Sequence, residues 1–156
     1  CMRDPVAGVG GMNHFMLPEH VDGTSEAWEV TPINSGTRYG SFAMEHLINE
    51  ILKNGGEKER LETKVFGGGR VLNLSLGVGD RNIEFVLRYL EEEGLKVTKA
   101  DVGDSFPRKV NYFPKTGRAM VKKMRAAQTE GICERERVHL ENLEHKVPLS
   151  SDIELF

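Results

Sequence analysis

His14 stands in Gly10-Gly11-Met12-Asn13-His14-Phe15-Met16-Leu17-Pro18, between a pair of glycines and an apolar run. Backbone geometry fixes such a histidine on one side and packing fixes it on the other. That suits a general acid or base, whose efficiency depends on position first and on pKa second. It suits a structural histidine as well. Cys1 supplies the other reactive group, a thiol, and as a first residue it could use its own α-amine as base. Met12, Phe15, Met16 and Leu17 read as core that fixes the segment around His14 rather than as substrate contacts. Gly10 and Gly11 read as permitting the turn rather than as donors to an oxyanion.

The elements that must position these groups follow from periodicity and punctuation. Residues 1–10 carry no basic stretch followed by a long apolar one, so they are not a signal peptide. They read as the end of a strand entering a turn, begun by Asp4-Pro5 and reversed at Gly8 and Gly10. A domain that opens in mid-strand is expected to have lost its first elements. Residues 19–37 are polar and read as a loop beside the histidine, with His20 a solvated member. Phe42, Ala43, Leu47, Ile48, Ile51 and Leu52 recur at helical spacing, which predicts a helix over 39–54 with Gly55-Gly56 as its stop. His46 takes a structural place beside that stripe.

Residues 61–66 alternate as a strand and run into Gly67-Gly68-Gly69. Those glycines lack the Lys-Ser/Thr of a Walker loop and the spacing of a dinucleotide fingerprint, so they predict close backbone approach and not a nucleotide site. Asp80 is the expected N-cap of a second helix, with Ile83, Val86, Leu87 and Leu90 as its buried stripe and Gly94 as its stop. The run Glu91-Glu92-Glu93 opposes the helix dipole and reads as a solvated face. A strand over 95–102 follows. Then comes a hairpin of 109–113 and 118–122 about Pro114-Lys115-Thr116-Gly117. Strands alternating with helices predict an α/β domain with a mixed sheet over 1–123. Residues 124–156 read as a charged C-terminal extension, partly disordered, whose Cys133, His139 and His145 do not fit a zinc-ligand spacing.

Composition excludes several classes. The chain has 156 residues, enough for one domain with a real core. Charged residues make up 29% with a formal net charge of −3, both signs interspersed, which argues against a nucleic-acid binder. No apolar run is long enough to insert into a membrane. The only two cysteines, Cys1 and Cys133, lie far apart, which suits a reducing cytoplasm. The expectation is a soluble cytoplasmic domain, with neither cofactor nor metal called for by any motif.

Several segments then combine. Cys1-Met2-Arg3-Asp4-Pro5 and the Val9 to Pro18 stretch are followed by Tyr39-Gly40-Ser41-Phe42-Ala43-Met44, Lys64-Val65-Phe66-Gly67-Gly68-Gly69 and Gly79-Asp80-Arg81-Asn82. Asp101-Val102-Gly103, Arg108-Lys109-Val110 and Pro114-Lys115-Thr116-Gly117 complete the series. In order and spacing these motifs resemble the CheD family, the chemoreceptor glutamine deamidases. The resemblance implies an α/β/β/α sandwich with mixed sheets, shared with bacterial toxin deamidases. It implies hydrolysis of glutamine side-chain amides on methyl-accepting chemotaxis receptors, giving glutamate and ammonia. The CheC phosphatase is an implied partner. The family's nucleophile is a cysteine in a Gly-Ser-Cys-Val motif, and its pattern runs on to a second residue four positions later. Cys1 aligns with that second residue, and the family's catalytic threonine lies further upstream. Of the triad, His14 alone carries over, so this stretch is expected to bind without catalysing. Gly69 replaces a frequent alanine, and Asp104 replaces a second glycine after Gly103, a position at which Asp tolerates positive φ. Two other readings remain open: a non-catalytic regulator acting by occupancy, and an N-terminal-nucleophile hydrolase using Cys1.

Overall fold

Asp4 ends the first strand and starts the first turn in one stroke. Its Oδ1 accepts the backbone N–H groups of Val6 and Ala7 at 2.8 and 3.1 Å, and its carbonyl accepts that of Gly8 at 3.0 Å. This closes a hairpin of β1 (Met2–Asp4) and β2 (Val9–Gly11), paired antiparallel. The protein is described by a computed structural model over residues 1–17, 35–70, 77–124 and 138.

The sheet containing the hairpin is mixed, as its alternating elements predict. Its order is β2-β1-β3-β4, with β3 (Glu62–Gly67) antiparallel to β1 and parallel to β4 (Lys96–Val102). Two helices, α1 (Ser35–Lys53) and α2 (Val78–Glu92), cover one face. Their apolar stripes meet Met2, Leu61 and Leu95 in a core that includes Met44, Ile48, Ile51, Phe85 and Leu90. The other face bears Arg3, Glu62 and Lys64. Against it lies a second, two-stranded sheet of β5 (Arg108–Phe113) and β6 (Arg118–Lys123). Lys64 Nζ donates to the Gly117 carbonyl at 2.6 Å and Arg3 Nη1 to that of Lys115 at 3.4 Å. The described residues thus form α/β/β layers of the α/β type that the sequence predicts. Among them no helix is long and apolar enough to cross a membrane.

Both helices stop where glycine was expected to stop them, and by one device. After α1, Gly55 (φ +90°) donates to Leu52 and Gly56 to Ile51. After α2, Gly94 (φ +68°) donates to Glu91 and Leu95 to Leu90. Each pair is a Schellman motif, which satisfies carbonyls that the helix leaves open.

The starts differ from expectation. α1 begins at Ser35, so residues 35–37 belong to the helix and not to the preceding loop. Its first turn carries no apolar period to announce it. α2 begins two residues before Asp80, with Gly77 (φ +77°) at the N-cap. Asp80 lies in the first turn and pairs with Arg70 at 3.1 Å, both exposed. The buried stripe of α2 is also rotated: Val78, Phe85, Val86, Tyr89 and Leu90 are buried, while Leu87 is exposed. The acidic run is not simply solvated, since Glu93 pairs with Lys58 at 2.7 Å and Glu92 with Arg88 at 3.6 Å.

Gly68 explains the glycine triplet. It has φ +65°, and a Cβ there would lie 2.4 Å from Ile83 Cγ1 and 2.9 Å from the Gly79 carbonyl oxygen. The close approach is therefore to the first turn of α2, as backbone packing requires.

Candidate active site

Strand direction decides which segments meet. β2 and β3 both run antiparallel to β1, and β4 runs parallel to β3. The C-terminal ends of β2, β3 and β4 therefore lie at one end of the sheet, with the N-terminal end of β1. α2 begins at this end too, since it follows β3. Open α/β sheets bind ligands outside the carboxyl ends of their strands. Here that end collects Cys1, His14, the Gly67 to Arg70 turn and the loop after β4.

His14 is exposed, and the residues around it are fixed. On one side, Asn13 Nδ2 donates to the Ala43 carbonyl of α1 at 2.8 Å and approaches Met44 Sδ at 3.7 Å. On the other, Phe15 meets Phe85 of α2 edge-to-face at a 5.6 Å centroid separation. Met16 and Leu17 are buried, and the Leu17 N–H donates to Asn82 Oδ1 at 2.9 Å. Both helices thus hold the segment, and the ring between the anchors has no hydrogen-bond partner among the described residues. Core packing holds for Phe15, Met16 and Leu17; Met12 is 47% exposed and departs from that expectation.

Gly40 lets the two helices and this segment close together. A Cβ there would lie 2.6 Å from Phe85 Cε1 and 2.9 Å from Leu17 Cδ2. Two turns further on, the ring of His46 stacks on Phe42 at 6.1 Å and 6°, and Phe42 is itself 67% exposed. His46 is exposed, so its role is a surface contact.

Cys1 is half-buried and behaves as a strand residue. Its nitrogen donates to the Lys64 carbonyl at 3.0 Å, and the Lys64 N–H donates to its carbonyl at 2.8 Å. This pair extends the β1–β3 ladder. A nitrogen spent on that ladder is poorly placed to act as a base. By strand alternation the Cys1 side chain shares a face with Arg3, the face toward β5 and β6. No hydrogen bond joins its thiol to His14 among the described residues.

The neighbouring loop is braced from within. Arg108, with 2% of its side chain exposed, donates to Asp101 Oδ1 at 2.9 and 3.1 Å and to the Gly103 carbonyl at 2.7 Å. Its guanidinium lies 4.8 Å from the centre of the Phe106 ring. Asp104 takes φ +69°, the conformation anticipated for a residue standing in place of glycine, and its carbonyl accepts the Arg70 N–H at 2.7 Å. The turns after β3 and β4 are thereby tied to each other. His20, Cys133, His139 and His145 lie outside the described residues.

Sequence reasoning missed Asn13 and Asn82 as the groups that hold the histidine segment. A signal existed in the ordered motif Gly79-Asp80-Arg81-Asn82, but its partner lies 65 residues away.

The fold and this site define an α/β protein with one exposed, backbone-clamped histidine at the carboxyl end of a mixed sheet. Residues 16–123 match the family model described as CheD chemotactic sensory transduction. A relative from Halorhodospira halophila is 47% identical across the whole chain, which spans 71% of that protein. One from Saccharophagus degradans is 49% identical and one from Hahella chejuensis 42%, again across the whole chain and 72% of each. All three are named probable chemoreceptor glutamine deamidase CheD. The chain belongs to the CheD family. The matches to these relatives span the whole chain, so they extend over residues 1–15 and 124–156, which the family model does not reach.

Proposed function

We propose that this protein is a cytoplasmic glutamine deamidase acting on chemoreceptors, and that His14 is its proton carrier. The amide of a receptor glutamine is hydrolysed to glutamate and ammonia. An amide is a weak electrophile with a poor leaving group, so the reaction needs a strong nucleophile and a positioned acid. A cysteine preceding Cys1 in the longer protein supplies the thiol. β1 enters the sheet at the end where His14 stands, so a residue shortly before Cys1 arrives on that side. The imidazole takes the thiol proton, and the thiolate attacks the amide carbon. The proton then passes to the departing nitrogen and ammonia leaves, giving a thioester. Water, activated by the same imidazole, releases glutamate and restores the thiol.

The observation that carries this reading is the contrast within one segment: an exposed His14 ring between residues that both helices immobilise. Residues 1–123 form the working domain. Cys1 serves as a strand residue. The CheC phosphatase is a second partner in organisms that possess it.

The test is incubation of the full-length protein with purified chemoreceptor, followed by peptide mass analysis for amide-to-acid conversion. The wild type should convert specific glutamines, and His14→Ala should convert none while still binding the receptor. Undiminished conversion by His14→Ala would refute the role of His14. Failure of the wild type to convert any glutamine would refute the activity.

A further inference from the structure

We infer that Asn82 is a positioning residue for catalysis, setting His14 through the backbone of the segment that carries it; this rests on the deamidase reading above. Between Met12 and Leu17 the chain has left β2 and joins no ladder. Among the described residues, the Leu17 N–H is the only backbone amide in that stretch with a hydrogen-bond partner, and the partner is Asn82 Oδ1 at 2.9 Å. Asn13 fixes the near side of His14 to α1. Without Asn82 the far side would keep, among the described residues, only apolar contacts, which resist separation but not sliding.

Asn82 is well placed for this task. It sits near the start of α2, where the approach of Gly79 to Gly68 fixes the helix against the turn after β3. The path from sheet to histidine is short and stiff: β3, Gly68, α2, Asn82, Leu17, then back to His14. A misplacement of about 1 Å in a catalytic group can cost on the order of 100-fold in rate. A side-chain oxygen that sets the register of the segment therefore acts on the turnover step. It should leave docking of a receptor unchanged.

The experiment uses the full-length protein and three variants, Asn82→Ala, Asn82→Asp and Asn82→Gln. Two readouts are taken: kcat and KM for receptor deamidation, and hydrogen exchange of the Leu17 amide by NMR. Asn82→Ala should lower kcat by about 10- to 100-fold with KM changed less than about 2-fold, and should expose the Leu17 amide to exchange. Asn82→Asp keeps an acceptor oxygen at the same place, and should retain both kcat and protection. Asn82→Gln moves the oxygen by one methylene and should behave like alanine, which covers the case of an alanine variant that does not fold. The inference is overturned if Asn82→Ala keeps full kcat, if Asn82→Asp is as impaired as Asn82→Ala, or if Leu17 exchange is the same in all proteins. A wild type that deamidates nothing refutes the deamidase reading, and with it a catalytic role for Asn82. Leu17 exchange would then still decide whether Asn82 holds the segment.

Discussion

The two ends of the β1–β2 hairpin hold their polar groups in opposite ways. At one end Asp4 is fully buried and saturated with donors: the N–H groups of Val6, Ala7 and Glu57, and the guanidinium of Arg60 at 2.7 Å. The Arg60 hydrogen bond and then the backbone donors hold its carboxyl well below the usual carboxylate range, against the opposing pull of burial. Arg60 is itself shared with Glu57 and Asp4, and both push its pKa upward. At the other end His14 is exposed, its ring without a hydrogen-bond partner among the described residues, while the residues on either side are tied down. A charge whose every lone pair is engaged has its chemistry spent on structure. A ring immobilised only through its backbone is still free to exchange protons with something that arrives. Partner saturation thus separates the architectural end of the hairpin from the end at which catalysis is proposed.

The largest effect should come from breaking the saturated end. Asp4→Ala leaves Arg60 with Glu57 alone and takes the acceptor from three backbone N–H groups, and breaking an ion pair whose carboxylate is fully buried is strongly destabilising. We expect the melting temperature to fall by on the order of 10 °C or more, measured by calorimetry. If melting is unchanged, the contrast between the two ends is wrong.

The same carboxylate predicts an acid limb to stability. Its folded pKa is depressed, so its contribution is fully present above the ordinary carboxylate range of about 4 and is lost as pH falls toward the folded value. Urea midpoints should therefore be level above about pH 5 and fall steadily below pH 4. In Asp4→Asn the group cannot titrate, so this share of the acid limb should vanish and leave a shallower slope.

Between the two ends, Gly40 sharpens the comparison because it sets how tightly the helices grip the histidine segment. A methyl at this position meets Phe85 and Leu17 at 2.6 to 2.9 Å, which is overpacking, while alanine gains helix propensity over glycine. The balance should be a loss of roughly 1–2 kcal/mol in chemical denaturation. It should come with a larger proportional loss of kcat than of stability, since the displaced atoms belong to or pack against the segment that carries His14. Equal losses would mean that the segment is packed but not positioned.

How much of this was legible beforehand depends on how far apart the partners lie. The helix stops at Gly55 and Gly94, the strand ending in the glycine triplet and the β5–β6 hairpin all follow from signals a few residues long. Asp4 could be read as a turn starter because Val6 and Ala7 are adjacent, but its pairing with Arg60, 56 residues on, left no local mark. The phase of α2 failed for a related reason. Ile83, Phe85, Val86, Leu87, Tyr89 and Leu90 cover much of the helix circumference, and only the sheet beneath decides that Phe85 and Tyr89 face inward and Leu87 outward. His14 was picked out by its setting between glycines and apolar residues, and by the motifs that resemble the CheD family. Asn13 is its neighbour in the chain, but the Ala43 carbonyl that Asn13 meets and the Asn82 that Leu17 meets lie 30 and 65 residues from their partners and are joined to the segment only in space. The α/β class was readable because it rests on alternation, whereas the anchoring of the site rests on contacts between distant residues.

The smallest effect on stability should come from His14, the residue proposed as the proton carrier. His14 is exposed and makes no hydrogen bond among the described residues, so His14→Ala removes no satisfied partner there and no buried core residue. Surface changes of this kind fall within roughly 0.5 kcal/mol. We expect the variant to melt with the wild type and to keep the edge-to-face contact of Phe15 with Phe85, seen as unchanged ring shifts for that pair by NMR. Deamidation should be abolished all the same. If His14→Ala instead destabilised the fold as much as Gly40→Ala, the imidazole would be a packing group, and the exposed end of the hairpin would be as architectural as the buried one. A stable, correctly packed and inactive variant would show that the two ends of one hairpin divide stability from catalysis between them.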